Sequence, residues 1–211
     1  AFDDRWRRFV DRLLEDPTVE RALLLTLATG GTIERFRDVA GQFNANWDLV
    51  EERVSAEPDP PVANLSALID DVATLCERRD HCVTDADKMV GHLDSLVDWC
   101  AEVNAAAQDD EVEMLRLLAS GDKLTFRNGQ KGNWADGFLA QIKDDLGDME
   151  TKRREALDEI ALGAAKRIAA EIGRFTLDEA EERRRSGRLE FHDLLVHARR
   201  LLRDPEHGRT A

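Results

Sequence analysis

The residues whose types could do metal chemistry in this 211-residue chain are Cys76, His81, Cys82, His92 and Cys100. Thiolates and imidazoles are the ligands that tetrahedral zinc prefers, but structural zinc takes them as short-spaced pairs. These spacings form no such pattern. They read instead as packed cysteines and surface histidines, and no metal ligand is assigned. Three cysteines are an odd number, which predicts free, mostly buried thiols and a reducing, cytoplasmic setting.

Phosphate chemistry is tested next. A phosphate loop needs a glycine, four spacers and then Gly-Lys-Ser/Thr, so that backbone amides and a lysine cradle the phosphates. Gly129-Gln130-Lys131-Gly132 does not fit and reads as a turn. Neither a nucleophile elbow nor a dinucleotide fingerprint is present. His192-Asp193 with His197 is a donor set of the kind used by metal-dependent phosphohydrolases, which require further upstream histidines and a distal aspartate. Asp193 and His197 stand one helical turn apart, which predicts a surface contact between them. No catalytic residue follows from these patterns.

What remains is electrostatic chemistry. Trp134 closes the run Lys131-Gly132-Asn133-Trp134. An exposed indole beside a lysine suits stacking on a nucleic-acid base; the competing reading is a wedge that anchors the loop to the following helix. Lys131, Lys152, Arg153, Arg154, Arg183, Arg184 and Arg185 are candidate phosphate contacts. The same side chains have an alternative in pairing along the helix with Glu150, Glu155, Asp158, Glu179 and Glu182.

The charge balance limits where such contacts can lie. The chain has 30 Lys+Arg against 44 Asp+Glu, net −14. Residues 51–122 hold 18 acidic and 5 basic residues, whereas residues 123–211 hold 17 acidic and 18 basic. Nucleic-acid binding requires cations to replace the counterions of the phosphates, so any DNA contact belongs to the last third. The acidic middle reads as a solvated face. Arginine outnumbers lysine 24 to 6, which suggests a GC-rich bacterial genome.

Almost every segment that must position these residues reads as helix. Phe2, Trp6, Phe9, Val10, Leu13 and Leu14 recur at three- and four-residue spacing and predict a helix over 3–15. Asp16-Pro17-Thr18 breaks it, and Pro17 opens a second helix that runs to about Thr29. Gly30-Gly31 ends that helix and Thr32 caps a third. Ala56-Glu57-Pro58-Asp59-Pro60-Pro61 is a proline-rich linker between sub-parts 1–55 and 62–211 of a single helical domain. Helices are expected over 62–78, after Thr84-Asp85-Ala86-Asp87, and over 111–120, with one short strand at Lys123–Phe126. From Leu139 to Phe175 the apolar residues keep an almost unbroken helical period, and Ser186-Gly187 separates this long helix from the last segment. The fold class is therefore all-α: an irregular multi-helix bundle around one long C-terminal helix, with at most one short strand pair. No apolar run is long enough to span a membrane. The chain opens without an initiator methionine or signal peptide, and it reads as a piece of a longer protein.

One segment carries a resemblance. Arg183-Arg184-Arg185-Ser186-Gly187-Arg188-Leu189-Glu190-Phe191-His192-Asp193-Leu194-Leu195 resembles a segment of the UvrD/Rep-type superfamily 1 DNA helicases, including helicase–nuclease subunits of the AddA/RecB kind. There a basic, glycine-containing turn leads into Leu-Asp-Phe-Asp-Asp-Leu-Leu. Leu189, Phe191, Asp193, Leu194 and Leu195 match; Glu190 and His192 stand where the family usually has aspartate. Phe43-Asn44-Ala45-Asn46-Trp47-Asp48 after a helix, and the loop ending in Asn133-Trp134, also look like the helical insertion of these helicases.

The resemblance implies a 1B-type accessory subdomain that contacts DNA beside the motor domains of a parent chain. That parent would bind and hydrolyse ATP with Mg²⁺. This piece lacks the phosphate loop and the metal-holding acids, and it would have no motor activity or cofactor of its own. The alternative is a helical protein–protein interaction module without a nucleic-acid role, which the acidic middle third favours.

Overall fold

The computed structural model describes residues 2–54, 59–60, 65–121, 124–135 and 137–203. Among them the fold is all-α, with helices α1 (Phe2–Glu15), α2 (Pro17–Ala28), α3 (Ile33–Ala45), α4 (Trp47–Arg53), α5 (Ser66–Cys76), α6 (Lys88–Asp109), α7 (Glu111–Ser120), α8 (Phe138–Ser186) and α9 (Phe191–Arg203). Most of the proline-rich linker, the expected start of a helix at Val62, and Lys123 lie outside the described residues.

The chain divides into two compact units. The first joins residues 1–23, 31–59 and 164–211; the second joins 24–30 and 60–163. This differs from a simple split at the proline-rich segment. One boundary does fall there and another at Gly30-Gly31, but two lie inside α2 and α8, where an unbroken helix leaves no turn signal in the sequence.

In the first unit, α1 turns Trp6, Phe9 and Leu13 inward against Val19 and Leu23 of α2, Phe36 and Ala40 of α3, and Ile168, Ile172 and Phe175 of α8. The Phe9 and Phe175 ring centroids are 4.7 Å apart. Burial of each such side chain contributes about 1.5–3 kcal/mol. Asp16 caps α2 by accepting from the Thr18 amide at 2.9 Å, and the Thr32 hydroxyl accepts from Arg35 N at the start of α3. A smaller cluster of Trp47, Ala180 and Val196 joins α4, α8 and α9. Apolar periodicity alone does not mark α4, because seven residues are too few turns for a helical period to show.

In the second unit, α5 packs on α6 and α6 on α7, through Ile69, Val72, Leu93, Cys100 and Leu115 among other buried residues. Asp87 and Asp110 cap α6 and α7. The strand expected at Lys123–Phe126 is absent from its described part. Leu124 instead donates its amide to the Glu150 carboxylate at 3.1 Å, and Phe126 stacks on the His92 ring at 4.4 Å. The only extended pairing among the described residues is one antiparallel bridge between Cys82 and Trp134.

Candidate functional site

The segment Arg183–Leu195 is built from the end of α8 into α9. Gly187 adopts φ +67°, a left-handed conformation that other residues take at a cost. It lets Arg188 N reach back to Arg183 O at 3.0 Å and Gly187 N to Arg184 O at 3.3 Å, closing the last turn of α8. Three residues later α9 opens on one half of a capping box. The Asp193 carboxylate accepts from the Glu190 amide at 2.9 Å, while Leu194 N bonds Glu190 O.

Asp193 is only 1% exposed. Besides Glu190 N, it accepts from Arg183 Nε at 2.9 Å, Arg183 Nη2 at 3.1 Å and the Trp47 indole Nε1 at 2.8 Å. Arg183 also donates to Asn44 Oδ1 at 3.0 Å. Burial opposes ionisation of Asp193, but the Arg183 guanidinium and the amide donors outweigh it and hold the carboxyl below its ordinary range. One turn away, buried Asp48 accepts from His192 Nε2 at 3.0 Å and Arg199 Nη2 at 2.8 Å. Burial again opposes its ionisation, and His192 and Arg199 again reverse the balance. Arg200 pairs with Glu51 and lies 5.0 Å over the Trp47 ring.

This arrangement is a joint. Two buried carboxylates are saturated by cations and N–H donors, with every charge compensated. The expected surface contact between Asp193 and His197 is not made. Asp193 is committed inward, and His197 packs 6.3 Å from the Trp47 ring. Sequence reasoning missed Asp48, Arg199 and Arg200 as members of this cluster. No local signal marks them, because Asp48 and Glu51 lie about 150 residues upstream of the arginines they bond.

The basic candidates separate by burial. Arg183 is held in this joint. Arg153, 5% exposed, bonds Leu118 O at 3.2 Å and Glu150 at 3.1 Å. Arg154 remains partly exposed beside Glu150 at 2.9 Å. Burial disfavours the charge on Glu150, yet the Leu124 amide, Arg153 and Arg154 together pull its carboxyl below the usual value. Arg184 and Arg185 both bond the Glu181 carboxylate, at 2.7 and 2.8 Å, and hold it down at about 2. Lys152 lies 3.8 Å from Asp71, and Lys131 is exposed.

Trp134 is 6% exposed and serves as the wedge of its loop. Asp87 anchors this loop by accepting from Gln130 N and Asn133 Nδ2, each at 2.9 Å. The Trp134 indole N–H adds to the field on Asp87 without a hydrogen bond of standard geometry. Gly129 makes the turn possible: at φ +112°, an added Cβ would sit 2.9 Å from Leu139 Cδ1.

Among the described residues no group of three His, Cys, Asp or Glu side chains is placed to hold a metal ion. His81 stacks on Phe138 at 3.8 Å, and His92 donates to Leu124 O at 2.9 Å. Cys76, Cys82 and Cys100 are free thiols. No described helix is long and apolar enough to cross a membrane.

Leu189, Phe191, Leu194 and Leu195 share no core. Phe191 is 76% exposed and Leu194 and Leu195 are each 52% exposed. Within this chain the leucines of the motif are not held by packing; α9 is attached through its polar side and Val196.

No protein-family model matches the chain, and no curated protein or solved structure is significantly similar to it.

Proposed function

We propose that the chain is an accessory, DNA-contacting helical subdomain of an ATP-dependent DNA helicase or helicase–nuclease acting in DNA repair or recombination. It corresponds to the 1B-type subdomain of the UvrD/Rep-type superfamily 1 enzymes and works in the cytoplasm of a bacterium. The observation that carries this reading is Asp193. It is the motif acid that matches the family, and it is the residue on which α4, the end of α8 and the start of α9 converge. That supports treating Leu189–Leu195 as an organised element rather than a chance string.

The chain's part in this function is positional. ATP and Mg²⁺ belong to the motor domains of the parent, and this chain supplies exposed cations for phosphate oxygens. Lys131, Lys152 and Arg154 in the second unit, and Arg184 and Arg185 at the end of α8, are the exposed members of the candidate set. Their partial pairing with Glu150, Glu181 and Asp71 predicts weak, salt-sensitive binding. Reading the parent gene downstream of residue 211 tests the assignment to a helicase. An Asp-Glu-x-x-Asp motif is expected shortly beyond it, and a downstream sequence without one contradicts it.

A second reading, a helical protein–protein interaction module without a nucleic-acid role, is favoured by one observation. The leucines and phenylalanine of α9 face solvent.

A further inference from the structure

A surface helix of a globular protein buries its apolar face and shows solvent its polar one. In α9 the relation is inverted. Its buried residues are Asp193 and Val196, while Phe191, Leu194, Leu195, Leu201 and Leu202 form an exposed stripe. The helix is held mainly by charge, and its two halves are held unequally.

The first half is anchored. The side chains of Asp193 and Arg183 are 2 and 11% exposed, so separating them would strand a buried charge. The Trp47 indole and the Glu190 amide bond the same carboxylate, and Val196 packs with Trp47 and Ala180. Beyond Val196 no residue through Arg203 is buried. There the contacts with α4 are ion pairs: Arg199 with Asp48 at 2.8 Å and with Glu52 at 3.8 Å, and Arg200 with Glu51. Arg200 and His197 also lie against the Trp47 ring.

We propose that these pairs are an ionic latch. Closed, it lays the second half of α9 along α4. Opened, residues 197–203 leave α4, while the Asp193 anchor and the aromatic core of the unit stay in place. Opening costs little for three reasons. Arg200, Glu51 and Glu52 are 46, 51 and 57% exposed as side chains, so their pairs give way to water with small loss. Asp48 is buried, but it keeps its bond from His192 when Arg199 leaves, so its charge is not stranded. No apolar side chain beyond Val196 is buried in α9, so none is uncovered. A segment with few apolar contacts belongs to the low-stability end of a fold. Because the contacts are between charges near the surface, ionic strength operates the latch. It sets the direction of the far end of the stripe, Leu201 and Leu202. The inference stands whether or not the chain touches DNA.

Amide hydrogen exchange of the whole chain, read residue by residue by NMR, tests this. Protection is referred to an unstructured peptide of residues 191–203 in the same buffer, which removes the effect of salt on the exchange chemistry. Raising NaCl from about 0.1 to about 1 M shortens the Debye length from about 10 to about 3 Å, and protection of residues 198–201 should fall at least about three-fold. Residues 194–196, and α1 around Phe9, should keep theirs. Glu51→Gln with Glu52→Gln should lower protection of residues 198–201 at least about five-fold already at low salt and remove most of the salt dependence. Both acids are exposed, so the melting midpoint of the chain should barely move. Glu51→Arg should open the latch, and adding Arg200→Glu should close it again, because the pair is kept with its charges reversed. Protection of residues 198–201 that ignores both salt and the glutamine substitutions overturns the proposal, since fraying of a helix end then governs them. So does a loss that spreads together through residues 194–196 and α1, which would make α9 one cooperative piece with the core.

Discussion

The Trp47 indole donates a hydrogen bond of 2.8 Å to the Asp193 carboxylate across 146 residues of sequence. With the Arg183 guanidinium on the same carboxylate, it fixes where α9 leaves α8 and how α4 meets both. Because Asp193 and Arg183 are both largely buried, removing one strands the other. Asp193→Ala should destabilise the first unit by about 3–5 kcal/mol. Trp47→Phe, which deletes the donor and keeps most of the ring, should cost about 1–3 kcal/mol. Denaturant melts of the two variants measure the difference, and equal costs would contradict the joint described here.

Acid should loosen both units. Asp48, Asp87, Glu150 and Asp193 all have carboxyls lowered from their ordinary values, in each case because cations or amide donors outweigh burial. A lowered folded-state value stabilises the native state above the unfolded value of about 4, and that stability is lost as pH falls through the folded one. Glu179 runs the other way: burial raises its carboxyl against the pull of Arg5 and Arg183, so it gains stability as pH falls. Asp16, Glu113 and Glu181 are lowered as well, and with seven lowered carboxyls against one raised, a pH series of melts should show falling stability below about pH 4. A flat profile from pH 5 to pH 2 would contradict this.

Phenylalanine truncation should separate the two faces of the first unit. Phe9 is 7% exposed in the core, and Phe9→Ala should cost about 3–5 kcal/mol. Phe191 is 76% exposed, and Phe191→Ala should change the melt by less than about 0.5 kcal/mol. Paired melts check this, and a large loss at Phe191 would show that the stripe is covered within the chain.

The thiols should react in two classes. Burial, aided by neighbouring acids and thiols, pushes Cys76 up to about 12 and Cys100 up to about 11, so neither forms thiolate near neutral pH. Cys82 is half-buried and bonds Thr84 O at 3.3 Å. Iodoacetamide with mass spectrometry should label Cys82 in the native protein, and Cys76 and Cys100 only after unfolding.

Much of this architecture is legible in the residues. The helical period from Leu139 to Phe175 and the Ser186-Gly187 stop predict the 49-residue α8, because local periodicity and a left-handed cap leave few alternatives. Thr32 as a cap and the break at Asp16-Pro17 are equally local. What escapes such reading depends on partners far away in sequence. The choice of Arg153 and Arg183 for burial, when Lys152 and Arg184 beside them are exposed, is set by Glu150 and Asp193. The inversion of α9 cannot be read from its own pattern, which is that of a helix with a buried leucine face. Only the acids of α4, far upstream in the chain, turn its polar side inward.

The central claim is tested most directly by a fluorescence titration of the chain with a duplex–single-strand DNA junction across a series of low salt concentrations. Binding should be measurable at low salt and fall steeply as salt rises. Charge reversal at Lys131, Lys152 and Arg154 should weaken it and flatten the log–log salt slope by about 0.9 for each duplex phosphate that is no longer neutralised. Arg153 is left intact because its buried pairing with Glu150 holds the fold. No binding at the lowest salt, or binding indifferent to those reversals, would contradict a DNA-contacting role for this chain.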